Sequence, residues 1–152
     1  LTIFFVIIFF IDLKHYIIPN ELTFPLMIIG FFKSFDPNLD QSLFPSYINS
    51  LIGGITGYTI IWLIIFAYKK LRNKEGMGLG DAKLLSAIGF WFGWISIPFI
   101  LFLSSFVALV FALPSLINKS RTMSSQIPFG PYLVLGSLMY LLVIEYIIKF
   151  LN

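Results

Sequence analysis

The sequence predicts an all-α fold, a polytopic transmembrane helical bundle of about six membrane segments. Three observations lead there. Of 152 residues, 59% are hydrophobic and only 11% are Asp, Glu, Lys or Arg, against about 45–50% and about 25% in soluble domains. Mean hydropathy is +0.95. The apolar residues gather in long runs with short polar stretches between them. A spanning helix needs about 20 apolar residues, so a chain of this length holds roughly five or six. The same balance excludes a soluble globule, and also disorder, which requires low hydrophobicity and high charge.

The segments follow in order. The first apolar run, Leu1–Ile11, stops at Asp12, and Lys14 and His15 follow. Pro19 disfavours helix at Ile18 and closes this segment. The run begins at Leu1 rather than at Met, which reads as an N-terminally trimmed or incomplete chain, since a signal peptide would carry a basic first stretch. A second run covers Leu22–Phe32. The stretch Asp36–Ser46 is polar, holds Pro37 and Pro45, and has no Lys or Arg. Tyr47–Tyr68 is a full span carrying Gly53, Gly54 and Gly57, small residues that let helices approach closely in lipid.

The densest charge cluster, Lys69–Glu75, then runs into a glycine turn, Gly76-Met77-Gly78-Leu79-Gly80. A helix is expected from Asp81 to about Trp94, and a further span over Ile95–Ile117. A second basic loop, Asn118–Gln126, holds Lys119 and Arg121. After Pro128 and Pro131 a last span reaches about Phe150. Basic residues favour cytoplasmic loops. Lys14, Lys69, Lys70, Arg72, Lys74, Lys119 and Arg121 all fall on one face under this assignment, and the Asp36–Ser46 loop falls on the other.

Composition also removes chemistries. With no Cys, there are no disulfides, cysteine nucleophiles or cysteine zinc sites. One His, His15, argues against a His-rich metal site or a Ser-His-Asp hydrolase. The formal charge of +3 is topological in its placement, and no nucleic-acid partner is expected.

Two carboxylates stand out. Asp12 lies at the cytoplasmic end of the first segment and Asp81 at the start of the fourth, so topology puts them on one side at similar depth. Acidic residues in a membrane are costly and generally face a bundle interior or an aqueous cavity. Plainer readings exist for each. Asp81 after a glycine could serve as an N-cap, and Asp12 could pair at the interface with Lys14 or another base. Lys83 reads as a snorkelling interfacial residue. Two carboxylates that converge share a proton, so one can act as base on a water while the other polarises a carbonyl. Gly78-Leu79-Gly80-Asp81 lacks the third glycine of a dinucleotide fingerprint and the Lys-Ser/Thr end of a P-loop. Its glycines leave room for an extended substrate to approach.

Three stretches resemble the type IV prepilin peptidases, membrane aspartic proteases of the GxGD type. They are Phe10–Asn20 with Asp12 and the Ile18-Pro19-Asn20 turn, Glu75–Leu85 with Gly78-Leu79-Gly80-Asp81-Ala82-Lys83-Leu84, and Ile127–Tyr132 with Pro128-Phe129-Gly130-Pro131. The resemblance implies a single membrane-embedded peptidase domain over residues 1–152, without the family's cysteine-bearing cytoplasmic domain. Asp12 and Asp81 would be the catalytic pair. Gly76, Gly78, Gly80, Lys83, Pro19 and Asn20 would shape the site, and Pro128–Pro131 would be a substrate-side motif. The implied activity is removal of the short leader of prepilins or pseudopilins at the cytoplasmic face of the inner membrane. No metal or cofactor and no methyltransferase activity is expected. Implied partners are the substrates, membrane lipids, and pilus or type II secretion machinery. Two other readings stay open: a presenilin-like intramembrane protease, and a non-catalytic ion-coupled membrane subunit or transporter.

Overall fold

A computed structural model of the chain describes residues 1–36, 45–72, 78–117 and 128–151. Six helices follow in order: α1 Thr2–His15, α2 Asn20–Lys33, α3 Tyr47–Arg72, α4 Leu79–Phe92, α5 Ser96–Ile117 and α6 Gly130–Leu151. Among the described residues there is no strand. The Asp36–Ser46 stretch lies mostly outside the described residues, as do Lys74, Gly76, Lys119 and Arg121.

α1 runs past the apolar run to His15 and ends before the Ile18 at which Pro19 closes the segment. Tyr16 takes the left-handed conformation at φ 57° and closes α1 by donating its N–H to the Asp12 carbonyl at 2.9 Å. α4 begins at Leu79 rather than Asp81, because the extended backbone of Gly78 makes that residue the N-cap. Asp81 is therefore a first-turn residue and not the cap.

The helices fall into two length classes. α3 has 26 residues and α5 and α6 have 22 each. α1, α2 and α4 have 14 each, about 21 Å at ~1.5 Å per residue, against about 30 Å for a hydrocarbon core. Tyr47–Leu71 and Gly130–Ile147 are long and apolar enough to cross a membrane, and the stretch Ser96–Ala112 of α5 is apolar as well. The outward surface is apolar as well. Phe102 is 70% exposed, Phe111 65% and Leu142 64%. Exposed apolar area on this scale marks a surface that meets something other than water.

α4 is the centre of the bundle and packs against α2, α3, α5 and α6. Its residues Ala82, Leu84, Leu85, Ser86, Ala87, Ile88 and Gly89 are all buried. The closest packing is with α3. A Cβ added to Gly53 would land on the Gly89 carbonyl, and one added to Gly89 on the Gly53 carbonyl. One added to Gly57 would lie 2.6 Å from the Leu85 carbonyl oxygen. The Ser86 hydroxyl donates across this seam to the Gly54 carbonyl at 2.8 Å, and Ser50 to the Phe90 carbonyl at 2.6 Å. Buried hydroxyls thus find backbone acceptors, which an apolar surrounding makes obligatory.

α2 is fastened to α4 near its C-terminal end. The Trp91 indole N–H donates to the Leu26 carbonyl at 2.8 Å, and the indole covers Gly30 so closely that a Cβ there would sit 2.5 Å from its Cδ1. α5 and α6 meet at Gly136, which faces Ser104. Gly89→Ala should force α3 and α4 apart and lower unfolding free energy by about 1–3 kcal/mol. Gly78→Ala, whose added Cβ would meet nothing nearer than 3.8 Å, should cost less than about 1 kcal/mol. Thermal unfolding in detergent micelles checks the pair.

Candidate functional site

Two acidic side chains are buried among the described residues, Asp12 at 4% exposure and Asp81 at 7%. Helical spacing delivers the first. Phe5, Ile8 and Asp12 form one inward stripe on α1, which packs against α6. Lys14, two positions on, is exposed and does not share that face, so the Lys14 pairing considered for Asp12 is not formed. Asp81 is buried because nearly the whole of α4 is enclosed. The fold brings the two together: the Asp12 carboxylate acts on Asp81 through space. Among the described residues no group of three His, Cys, Asp or Glu forms, so the arrangement is a pair of carboxyls.

Backbone donors meet both groups. The N–H of Gly130, the first residue of α6, hydrogen-bonds to the Asp12 carboxylate. A helix N-terminus favours an anion there through its free N–H groups and its dipole. The approach depends on glycine, since a Cβ at position 130 would lie 2.5 Å from Asp12 Oδ2. That oxygen is buried and has no hydrogen-bond partner among the described residues.

Asp81 is held by the start of its own helix. Its N–H donates to the Gly78 carbonyl at 3.2 Å, and the Gly78 N–H donates back to its carboxylate. This is the reach from third position to cap found in a capping box. Capping and a place in the site therefore fall to one side chain.

The remaining expected residues sort as follows. Pro19, at φ −66° and ψ 138°, is the N-cap of α2, and Asn20 is its first residue. Lys83 does more than cover apolar surface. Its Nζ donates to Asn20 Oδ1 at 2.7 Å and stands 5.7 Å from the centre of the Phe24 ring, tying α4 to the start of α2. Pro128 and Phe129 are half-buried, and Gly130 and Pro131 are buried. The Phe129 carbonyl accepts the N–H groups of Tyr132 at 3.1 Å and Leu133 at 3.0 Å, which opens α6. Pro128–Pro131 was expected on the substrate side, and within it Gly130 meets Asp12. The signal available in the sequence was a glycine at a helix start, where backbone can approach an anion.

The sequence profile of the type IV leader peptidase family matches residues 1–113. A prepilin leader peptidase/N-methyltransferase of Aeromonas salmonicida (strain A449) is 39% identical over 136 residues, covering 88% of this chain and 44% of that protein. The protein of the same name from Xanthomonas campestris is 42% identical over 126 residues, covering 83% and 42%. Its Escherichia coli (strain K12) counterpart is 34% identical over 131 residues, covering 86% and 56%. The chain thus spans less than half the length of the first of these relatives. No solved structure matches.

The Lys83–Asn20 hydrogen bond should be measurable as a coupling. In a double-mutant cycle of Lys83→Met and Asn20→Ala, the two losses of unfolding free energy should fall short of additivity by about 1 kcal/mol. Denaturant titration in micelles reads this directly.

Proposed function

The chain belongs to the type IV leader peptidase family, and from that premise we propose that it is a membrane aspartic endopeptidase in which Asp12 and Asp81 are the catalytic pair. Its substrates are prepilins or pseudopilins, from which it removes the short leader. The observation that carries this reading is the meeting of the two carboxyls in one enclosed place from separate helices, α1 and α4.

The chemistry follows from a pair that holds one proton between two carboxyls. The ionised member takes a proton from a water, and the resulting hydroxide attacks the scissile carbonyl carbon. The protonated member gives its proton to the carbonyl oxygen, forming a neutral tetrahedral diol. As the C–N bond breaks, the leaving nitrogen receives a proton from the carboxyl that was the base, and the diol returns one to its partner. The pair ends with one proton, as it began. The glycine at 78, where an added Cβ would meet nothing nearer than 3.8 Å, leaves the backbone beside Asp81 open to an extended peptide.

The whole chain is one peptidase domain in this reading. All six helices belong to a multi-pass assembly in the cell membrane, with α1, α2 and α4 short of full span. Basic residues at Lys14, Lys69 and Lys70 put the C-terminal ends of α1 and α3 on the cytoplasmic side. The pair lies at that same end, since it joins the last turn of α1 to the first turns of α4 and α6. Membrane lipids and the pilus or type II secretion machinery are the further partners.

Asp12→Asn and Asp81→Asn should each lower leader removal by roughly 10²–10⁴-fold, read by gel shift of a prepilin substrate in membranes. Full cleavage by either variant removes the pair from the mechanism. The rate should also be bell-shaped in pH. At low pH both carboxyls are protonated and no base remains; at high pH both are ionised and no acid remains. Initial rates across pH in micelles test this, and a rate that rises to a plateau contradicts it.

A further inference from the structure

Ile18 lies in the four-residue connection between α1 and α2 and is 8% exposed. It is extended by the proline that follows it. Its side chain touches both helix starts of the site. A Cβ on Gly80 would lie 3.0 Å from Ile18 Cβ, and a Cβ on Gly130 would lie 2.9 Å from Ile18 Cδ1. Gly80 immediately precedes Asp81, and Gly130 is the residue that meets Asp12 Oδ2. The side chain is therefore wedged between the part of the fold that carries one carboxyl and the part that supports the other.

We propose that Ile18 is a positioning residue, a stiff spacer that sets the separation of Asp12 and Asp81 by holding the starts of α4 and α6 apart. The inference rests on the reading of the two carboxyls as the catalytic pair. A β-branched side chain suits the task because it has few rotamers and holds its shape under load. Its two contacts are separable. The approach to Gly80 is tightest at Cβ, with Cδ1 farther off at 3.6 Å, and the approach to Gly130 is made by Cδ1, so trimming the side chain to Val relaxes the Gly130 side more than the Gly80 side. A carboxyl pair that shares a proton is sensitive to small displacements, and misplacement by about 1 Å can cost about 10²-fold in rate.

The test uses the chain in membranes and micelles, with a synthetic prepilin bearing a basic leader, a Gly and an apolar segment. Ile18→Ala should lower kcat by roughly 10–100-fold with little change in KM, and should alter the separation of the two limbs of the pH–rate profile, because the coupling of the pair changes. Ile18→Val, which loses only Cδ1 and keeps the Cβ contact with Gly80, should lower kcat several-fold, again with little change in KM and with the limbs of the pH profile displaced. This comparison does not depend on Ile18→Ala folding well. A folded Ile18→Ala, or an Ile18→Val, with kcat and pH profile unchanged from the parent overturns the inference. Cleavage retained by Asp12→Asn or Asp81→Asn overturns the premise instead. Loss in both of those, with Ile18 variants indistinguishable from the parent, overturns the spacer alone.

Discussion

The approach of α3 and α4, backbone against backbone, is the constraint on which the rest of the structure depends. Lipid tails are as apolar as the side chains facing them, so helices in a membrane gain little from hydrophobic burial against each other. They associate through close packing and internal hydrogen bonds. At Gly53, Gly57 and Gly89 no side chain keeps the two backbones apart, and the Ser50 and Ser86 hydroxyls bond across the contact. α4 is then close enough to α3 for α2, α5 and α6 to close around it. A carboxyl on its first turn goes inside with it.

That burial creates an electrostatic problem which the other helix ends resolve. Asp12 is in the last turn of α1, where carbonyl groups point outward and the helix dipole disfavours an anion. The start of α6 faces it from the other side, and the Gly130 N–H supplies the opposing dipole. Asp81 is in the first turn of α4, where the dipole favours it, and the Gly78 N–H adds a bond. One carboxyl is thus stabilised by its own helix and the other by a neighbour. The packing of α1 on α6 matters electrostatically as well as sterically.

α2 is held to α4 at both ends. The Lys83–Asn20 bond fixes its start, and Trp91 fixes it further along, with its N–H on Leu26 and its ring over Gly30. Lys33 stands 4.5 Å from the Trp91 ring at the far end. The connection from Tyr16 to Pro19 therefore joins two anchored helices, which keeps Ile18 lodged between the starts of α4 and α6.

Much of this was legible in the chain. Composition and the length of the apolar runs determined a helical membrane protein, because hydropathy and span length are local properties. The conspicuous acidic positions, Asp12 and Asp81, could be singled out because a carboxyl in an apolar run is costly wherever the run folds. Counting segments and charges gave the expectation that they lie on one side, and in the fold the Asp12 carboxylate acts on Asp81. The helix ends were less legible: a helix start at Asp81 was expected, yet α4 begins at Leu79, because the extended backbone of Gly78, three residues before Asp81, decided where the first turn began. Only the tertiary structure decided which glycines meet which backbones, that Lys83 bonds to Asn20, that α6 turns its first N–H toward Asp12, and that Ile18 lies between the two helix starts. These are contacts between residues distant in sequence, set by how six helices share one volume, and no local pattern encodes them.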